Sequence, residues 1–309
     1  PHVDPAMSDL LVIISVSPVL KPAPASGPRS STRQERTLPG VKSPPRESRA
    51  MATNYDDVGY EVTDGIATIT MDRPEVYNAF TGDTVLEVTD AVRTAEEDPD
   101  VYVMVLTGAG KGFCSGADTT AMPDWDDQSP AEYGAFLWTV QRVVATLRRA
   151  ATPSVAAVNG PAIGAGCDFA LACDLRVMGP DGLLREGFVN VGLVPGDGGA
   201  WLLPRLVGES KAREYLLTGR DITPADAVDI GLAVEEADDP FAAARALAAE
   251  IRDKPAMAVQ HTNRLVDPEQ GFEDYCEKAT RYQWDCVTDP EHHEAVAAFN
   301  EKRAPEYDR

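Results

Sequence analysis

Residues 154–168, SVAAVNGPAIGAGCD, join a short apolar run to a glycine-rich turn and then to the beginning of another segment. The run at 154–158 predicts a buried strand, and we expect a helix from about Cys167 onward. Between them, the glycines predict a tight turn. A turn that leads from a strand into a helix leaves backbone N–H groups free to face an anion. The stretch therefore predicts an α/β fold with a candidate binding turn.

Two further turns have the same character. Residues 108–118, GAGKGFCSGAD, follow the apolar run VYVMVLT at 101–107, which predicts another buried strand. Residues 191–199, VGLVPGDGG, hold the third turn. A single turn of this type is common in proteins that bind nothing there. Three in one chain indicate a site that is built from backbone N–H groups.

Strands and helices alternate on both sides of these turns. Residues 60–71 predict a hairpin around Asp64 and Gly65, and helices are expected at 81–97 and 131–150. This order is typical of a mainly parallel sheet with helical crossovers. Further helices are expected at about 200–207, 211–217, 224–230, 241–252, 272–288 and 290–302. We therefore predict an α/β core over 51–250 and a helical C-terminal region over 251–309.

The charge is unevenly distributed along the 309 residues. Residues 1–50 carry 7 Lys and Arg against 4 Asp and Glu, with 9 of the 24 prolines and no aromatic residue, so we expect a disordered or non-native extension. Their apolar run, Leu10 to Val16, is too short to span a bilayer. The remaining residues carry 46 acidic against 21 basic side chains, a balance that repels nucleic acid and anionic membranes and is typical of halophilic proteins.

The five cysteines are odd in number and show no spacing of metal ligands or CxxC pairs. We therefore expect no disulfide framework, no metal site, and a reducing, cytoplasmic location.

An ordered series of short motifs runs through the chain. The series comprises DRP at 72–74, NA at 78–79, LTG at 106–108, FCSGAD at 113–118, NG at 159–160, GAGCD at 164–168, ACDLR at 172–176, LTGR at 217–220, GLA at 231–233 and AFNEKR at 298–303. In this order the motifs resemble the crotonase superfamily of enoyl-CoA hydratases and isomerases, over about residues 55–305. The resemblance implies a repeated ββα spiral core, an acyl-CoA thioester substrate with no separate cofactor, and a homotrimer or homohexamer.

The resemblance also implies where the substrate lies. It places the thioester oxygen on the backbone N–H groups of Ala117 and Ala165, which form an oxyanion hole for an enolate. The residues that it places around the substrate and its coenzyme A are Ala79, Gly116, Asp118, Gly164, Phe188 and Lys302.

Acidic side chains decide which reaction these donors support. Hydratases of the family use two glutamates, which fall on Asp168 and Phe188 in this chain, so the second proton-transfer group is missing. Glu186 and Asp197 are the candidate substitutes. Each acid also has a simpler interpretation: Asp168 as a helix cap, Asp197 as a turn aspartate, and Glu186 as a solvated or Arg185-paired charge.

Three functions follow from these residues. We expect an enoyl-CoA hydratase, with a dienoyl-CoA or enoyl-CoA isomerase as the alternative. A non-catalytic acyl-CoA-binding homologue is the third possibility, because Phe188 cannot transfer protons.

Overall fold

The computed structural model of the protein describes residues 55–118, 120, 129–266 and 270–309. The predicted extension at 1–50 lies outside the described residues. The strands are β1 Val58–Thr63, β2 Ile66–Met71, β3 Val103–Gly108, β4 Ser154–Val158, β5 Pro161–Ile163, β6 Leu175–Met178, β7 Leu183–Arg185 and β8 Glu235–Glu236. The α-helices are α1 Gly82–Glu97, α2 Pro130–Arg149, α3 Ala165–Ala172, α4 Gly199–Val207, α5 Glu209–Thr218, α6 Pro224–Asp229, α7 Pro240–Arg252, α8 Ala256–Leu265, α9 Phe272–Val287 and α10 Pro290–Glu301.

A six-stranded sheet in the order β1-β2-β3-β4-β6-β8 forms the centre of the fold. β1 and β2 pair antiparallel, and every other pairing in this sheet is parallel. Asp64 and Gly65 turn the hairpin with positive φ angles of 53° and 71°. The predicted hairpin and the predicted parallel sheet are therefore confirmed. β5 and β7 form a separate parallel pair beside the site described below.

Both faces of the central strands are buried, which explains their continuous apolar runs. In β3, Met104 and Leu106 belong to the larger core cluster, together with residues of α1, α2 and α3. Val103 and Val105 belong to the smaller cluster on the other face, which α7 covers. Burial of the central sheet on both faces thus accounts for the α/β class. Since α7 packs on the sheet, it extends the core across the predicted boundary at residue 250.

α3 begins at Ala165, slightly earlier than the sequence predicts. Gly164 precedes it with φ of 56°, a conformation that side chains other than glycine rarely adopt. A Cβ atom at Gly166 would lie 2.1 Å from the carbonyl oxygen of Cys114. The absence of a side chain there lets α3 approach the turn at 108–118, so two of the three glycine-rich turns meet.

The C-terminal region is helical, as predicted, and it includes α8, which is not among the predicted helices. α10 ends at Glu301, so Lys302 follows the helix in a left-handed conformation. Large apolar side chains of α9 and α10 are exposed, among them Phe272, Trp284 and Phe299. Within the part of the chain that the structure describes, no helix is long and apolar enough to cross a membrane.

Candidate active site

The first predicted donor, the N–H of Ala117, lies in a segment that pairs with Phe80. The N–H of Phe80 donates to the carbonyl of Gly116 over 2.9 Å, and the N–H of Asp118 donates to the carbonyl of Phe80 over 2.9 Å. Phe80 therefore takes up the hydrogen bonds on either side of Ala117, whose own N–H points away from it. Ala117 is exposed, and its N–H makes no hydrogen bond to the described residues.

The second predicted donor, the N–H of Ala165, is the first of α3. The first N–H groups of a helix have no partner within the helix, and this one has none elsewhere among the described residues. The N–H of Gly164 is held by the carbonyl of Arg185 over 2.8 Å, which anchors the turn to β7. The methyl group of Ala165 is buried in the hydrophobic core. Within the described ranges, neither predicted donor group has a hydrogen-bond acceptor.

Three carboxyl groups lie together in the interior beside α3. Asp168 is 0 % exposed, Glu186 1 % and Asp197 8 %. Both oxygens of Asp168, both oxygens of Glu186 and Oδ1 of Asp197 are buried and lack a hydrogen-bond partner in the described residues. An unpartnered carboxyl group in this environment strongly favours its neutral form. The sequence predictions of Asp168, Glu186 and Asp197 thus fall in one cluster.

The electrostatics of the cluster follow from this burial. Desolvation, followed by repulsion from Glu186 and then Asp197, raises the pKa of Asp168 well above its usual range. Desolvation raises the pKa of Glu186 to about 7, although the nearby Cys167 thiol and Asp168 carboxyl oppose the rise. Desolvation also raises the pKa of Asp197 to about 6. Neighbouring acids whose pKa values are raised by different surroundings are suited to proton transfer.

The simpler interpretations of these acids do not describe their positions. Asp168 lies in the first turn of α3, where Gly164 is the N-cap and no side chain caps the helix. Glu186 is buried, and Arg185 instead forms an ion pair with Asp221. Asp197 does lie in a turn, but it is buried there rather than solvated. The interpretations of Asp168 as a cap and of Glu186 as an Arg185-paired surface charge are therefore wrong.

Phe188 lies at the edge of the second donor turn. Its ring atoms are 3.4 to 3.8 Å from the position that a Cβ atom of Gly164 would take. The ring is partly exposed, in contrast to the neighbouring carboxyl group of Glu186. Phe188 therefore supplies an apolar wall beside the donor of Ala165, at the place where the resemblance implies an acid.

Arg73 fastens the first donor turn, a role that the sequence analysis did not assign. Its guanidinium donates to the carbonyl of Ala79 and pairs with Asp118 at 3.1 Å. Asp118 also accepts hydrogen bonds from Thr120, and these contacts hold its pKa below its usual range. Ala79 and Asp118 are thus part of the frame around Ala117. The DRP motif at 72–74 was a signal for this residue, but the motif alone does not show its contacts.

Two other features could not be assigned from the sequence. The backbone amide of Gly199, at the beginning of α4, faces Asp168 and opposes the rise of its pKa, although the geometry does not satisfy the carboxylate. Cys167 is fully buried beside Glu186 and Asp168, and desolvation raises the pKa of its thiol well above its usual range. Both follow from packing between segments that are distant in the chain.

Lys302 remains apart from this cluster. It is exposed just after α10, and no hydrogen bond or ion pair joins it to the donor turns among the described residues. Its predicted contact with coenzyme A is untested. Within the described ranges, no group of three or more His, Cys, Asp or Glu side chains is arranged to hold a metal ion.

Comparisons with known proteins identify the family of the chain. The sequence family described as enoyl-CoA hydratase/isomerase matches residues 61–309. A protein of Mycobacterium tuberculosis named as a probable enoyl-CoA hydratase is 41% identical over 63% of this chain and 75% of its own length. The crotonyl-CoA hydratase of Syntrophomonas wolfei is 32% identical over 81% of this chain and 96% of its own length. The crystal structure of an enoyl-CoA hydratase from Mycobacterium smegmatis has a TM-score of 0.76 at 30% identity, over 82% of this chain and 99% of its own.

Proposed function

The chain belongs to the enoyl-CoA hydratase/isomerase family, and from this premise we propose that it is an enoyl-CoA hydratase. The reaction adds water across the 2,3 double bond of an enoyl-CoA thioester. Coenzyme A is part of this substrate, and no separate cofactor is required. One observation carries the proposal for the site: two backbone donors that have no partner among the described residues lie on turns that adjoin a buried cluster of three carboxyl groups.

The donors stabilise the charge that develops on the thioester oxygen. When a nucleophile adds at the β-carbon, the π electrons move toward this oxygen and an enolate forms. The N–H groups of Ala117 and Ala165 are the proposed donors to the enolate oxygen. One donor of this type lowers the barrier by about 3 kcal/mol. Because both donors are backbone groups, side-chain identity at these positions matters less than the shape of the turns.

The carboxyl groups divide the proton transfers between them. Asp197, whose pKa is raised to about 6, is the most exposed acid of the cluster, so its carboxylate is the base that takes a proton from water. The resulting hydroxyl group adds to the β-carbon. Asp168, whose pKa is raised further, is the acid that gives a proton to the α-carbon. Asp197 ends with one proton more and Asp168 with one fewer, and exchange with solvent restores them.

Isomerisation is the second candidate, and Phe188 is the observation that favours it. Its apolar ring stands where the resemblance implies a second acid, which leaves Asp168 as the proton carrier nearest the donors. One such acid, with the same oxyanion hole, can move a double bond along an acyl chain by removing and returning a proton. Water is then neither added nor lost.

Product analysis separates these functions. The full chain is incubated with a short 2-enoyl-CoA and with a dienoyl-CoA, and the products are followed by mass and ultraviolet absorbance. A hydratase adds the mass of one water and removes the enoyl-thioester absorbance. An isomerase shifts the absorbance of the dienoyl-CoA at constant mass. Binding without either product would contradict both activities and support the non-catalytic acyl-CoA-binding alternative.

We further propose a cytoplasmic homotrimer or homohexamer that is adapted to high salt. The exposed apolar side chains of α9 and α10 support assembly, since they would otherwise remain in water. The acidic balance of residues 51–309 supports adaptation to salt. Lys302, exposed after α10, is the proposed contact for a phosphate of coenzyme A.

A further inference from the structure

Glu186 is a buried acid for which the proposed mechanism has no direct use. It directly follows β7, whose last residue, Arg185, accepts the hydrogen bond that anchors the second donor turn. Its side chain is 1 % exposed, and neither carboxyl oxygen has a hydrogen-bond partner among the described residues. The proposed mechanism assigns the proton transfers to Asp168 and Asp197. The effect of Glu186 must therefore pass through its neighbours.

The space around the carboxyl group is shaped by Gly199. A Cβ atom at Gly199 would lie 2.2 Å from Oε2 and 2.4 Å from Oε1 of Glu186. Any residue other than glycine would consequently displace the carboxyl group. The beginning of α4 is thus fitted around Glu186, and it holds the acid against the side of the cluster formed by Cys167 and Asp168.

The groups that face Glu186 are acidic, so the protonation of its carboxyl group depends on theirs. From α3 it faces the Cys167 thiol and Asp168, and from the turn before α4 it faces Asp197. The adjoining cation, Arg185, is paired with Asp221. Two adjacent buried carboxyl groups that face no free cation among the described residues cannot both be ionised, because each negative charge opposes the other. A proton held between them would supply the hydrogen bond that both groups otherwise lack.

We propose that Glu186 is a positioning residue that shares one proton with Asp168 and so keeps Asp168 in the acid form that protonates the α-carbon. This inference rests on the proposed hydratase function. The shared proton provides the cluster with a proton donor at neutral pH, although Phe188 occupies the position of the family's second acid. The direction of the pKa effects agrees, since Glu186 raises the pKa of Asp168 by charge repulsion and by accepting its proton, whereas Asp168 lowers that of Glu186.

The test is the pH dependence of kcat/KM for water addition by the full chain and by its Glu186→Gln variant. The acid limb reports ionisation of the base, Asp197, and the alkaline limb reports loss of the proton from Asp168. Without the neighbouring charge, Asp168 releases its proton more readily. We expect the alkaline limb to move down by at least about one pH unit while the acid limb stays in place. Beyond the alkaline limb, the activity should then fall roughly tenfold relative to that at about pH 6.

Glu96→Gln is a matched control, because Glu96 is a structural carboxylate that accepts hydrogen bonds from the N–H groups of Ala151 and Thr152 over 3.0 and 2.9 Å. Glu96→Gln should lower the free energy of unfolding and leave the acid and alkaline limbs of the pH profile of kcat/KM in place. If Glu186→Gln lowers turnover equally at every pH, Glu186 is only structural and the inference is overturned. Should this variant fold poorly, Gly199→Ala displaces the same carboxyl group. Product identification with the unaltered chain tests hydration separately, so failure of the hydratase proposal is distinguishable from failure of this inference.

Discussion

Replacement of Gly199 by alanine tests the arrangement of the acids without removing any of them. The added Cβ atom would lie 2.2 Å from Oε2 of Glu186, whereas non-bonded carbon and oxygen atoms rarely approach closer than about 3.3 Å. The carboxyl group must therefore move by about 1 Å. The backbone at Gly199 does not have a positive φ, so alanine introduces no conformational strain.

The size of the effect on stability is a balance of two terms. Alanine in place of glycine favours a helix by up to about 1 kcal/mol, although this position is the first of α4 and the gain is smaller there. Overpacking of a buried site costs about 1 to 3 kcal/mol. We expect a net loss of about 1 kcal/mol and a shift of the alkaline limb of kcat/KM in the same direction as in Glu186→Gln. Thermal unfolding and the pH profile measure the two effects.

Gly134→Ala is the matched control, since Gly134 is exposed within α2 and a Cβ atom there would have no neighbour within 4 Å. It should stabilise the protein by about 0.5 to 1 kcal/mol with an unchanged pH profile. The reasoning is refuted if Gly199→Ala retains the profile of the unaltered chain although it is destabilised, or if both glycine variants shift the profile equally.

Three further predictions concern the frame of the site, the cluster and the surface. Arg73→Gln removes the contacts to Ala79 and Asp118. We expect kcat, measured by steady-state kinetics, to fall roughly 10- to 100-fold with a smaller change in KM. An unchanged kcat would show that Arg73 does not support the first donor turn. Since the folded-state pKa of Glu186 is raised from its model-compound value of 4.5 to about 7, its ionisation opposes folding increasingly from about pH 4 to about pH 7. Glu186→Gln should therefore gain up to roughly 3 kcal/mol in unfolding free energy at about pH 8 relative to about pH 4, and equal changes at both pH values would contradict this. Screening of the acidic surface predicts that Tm and activity rise from low to molar KCl, and a flat profile would reject adaptation to salt.

Much of the fold could be predicted from local patterns. The alternation of apolar strands and helices identified the parallel sheet, because β3 and β4 are buried on both faces and read as continuous apolar runs. The glycine-rich turns could also be located, since short motifs specify them, whereas the role of Ala117 and Ala165 as donors stays a prediction. The beginning of α3 was misplaced slightly because Ala165 and Gly166 resemble turn residues, whereas the approach of the helix to Cys114 requires the small residue at 166.

The surroundings of the acids could not be predicted in the same way. The sequence pairs Glu186 with the adjacent Arg185, but the structure turns Arg185 toward Asp221 and buries Glu186. Burial of this acid depends on Gly199, which becomes its neighbour only when α4 packs beside α3. Local propensity carries no information about such long-range contacts, and the pKa values depend on them.

The division of labour between Asp168 and Asp197 is tested most directly by comparing hydrogen exchange with water addition. Exchange of the α-hydrogens of a saturated acyl-CoA in D₂O requires Asp168 and the oxyanion hole, whereas hydration of an enoyl-CoA also requires Asp197 to activate water. We expect Asp168→Asn to lose both reactions by roughly two to four orders of magnitude. Asp197→Asn should lose hydration to a similar degree and retain exchange within about tenfold. Retained exchange in Asp168→Asn, or equal loss of both reactions in Asp197→Asn, would contradict this assignment of acid and base.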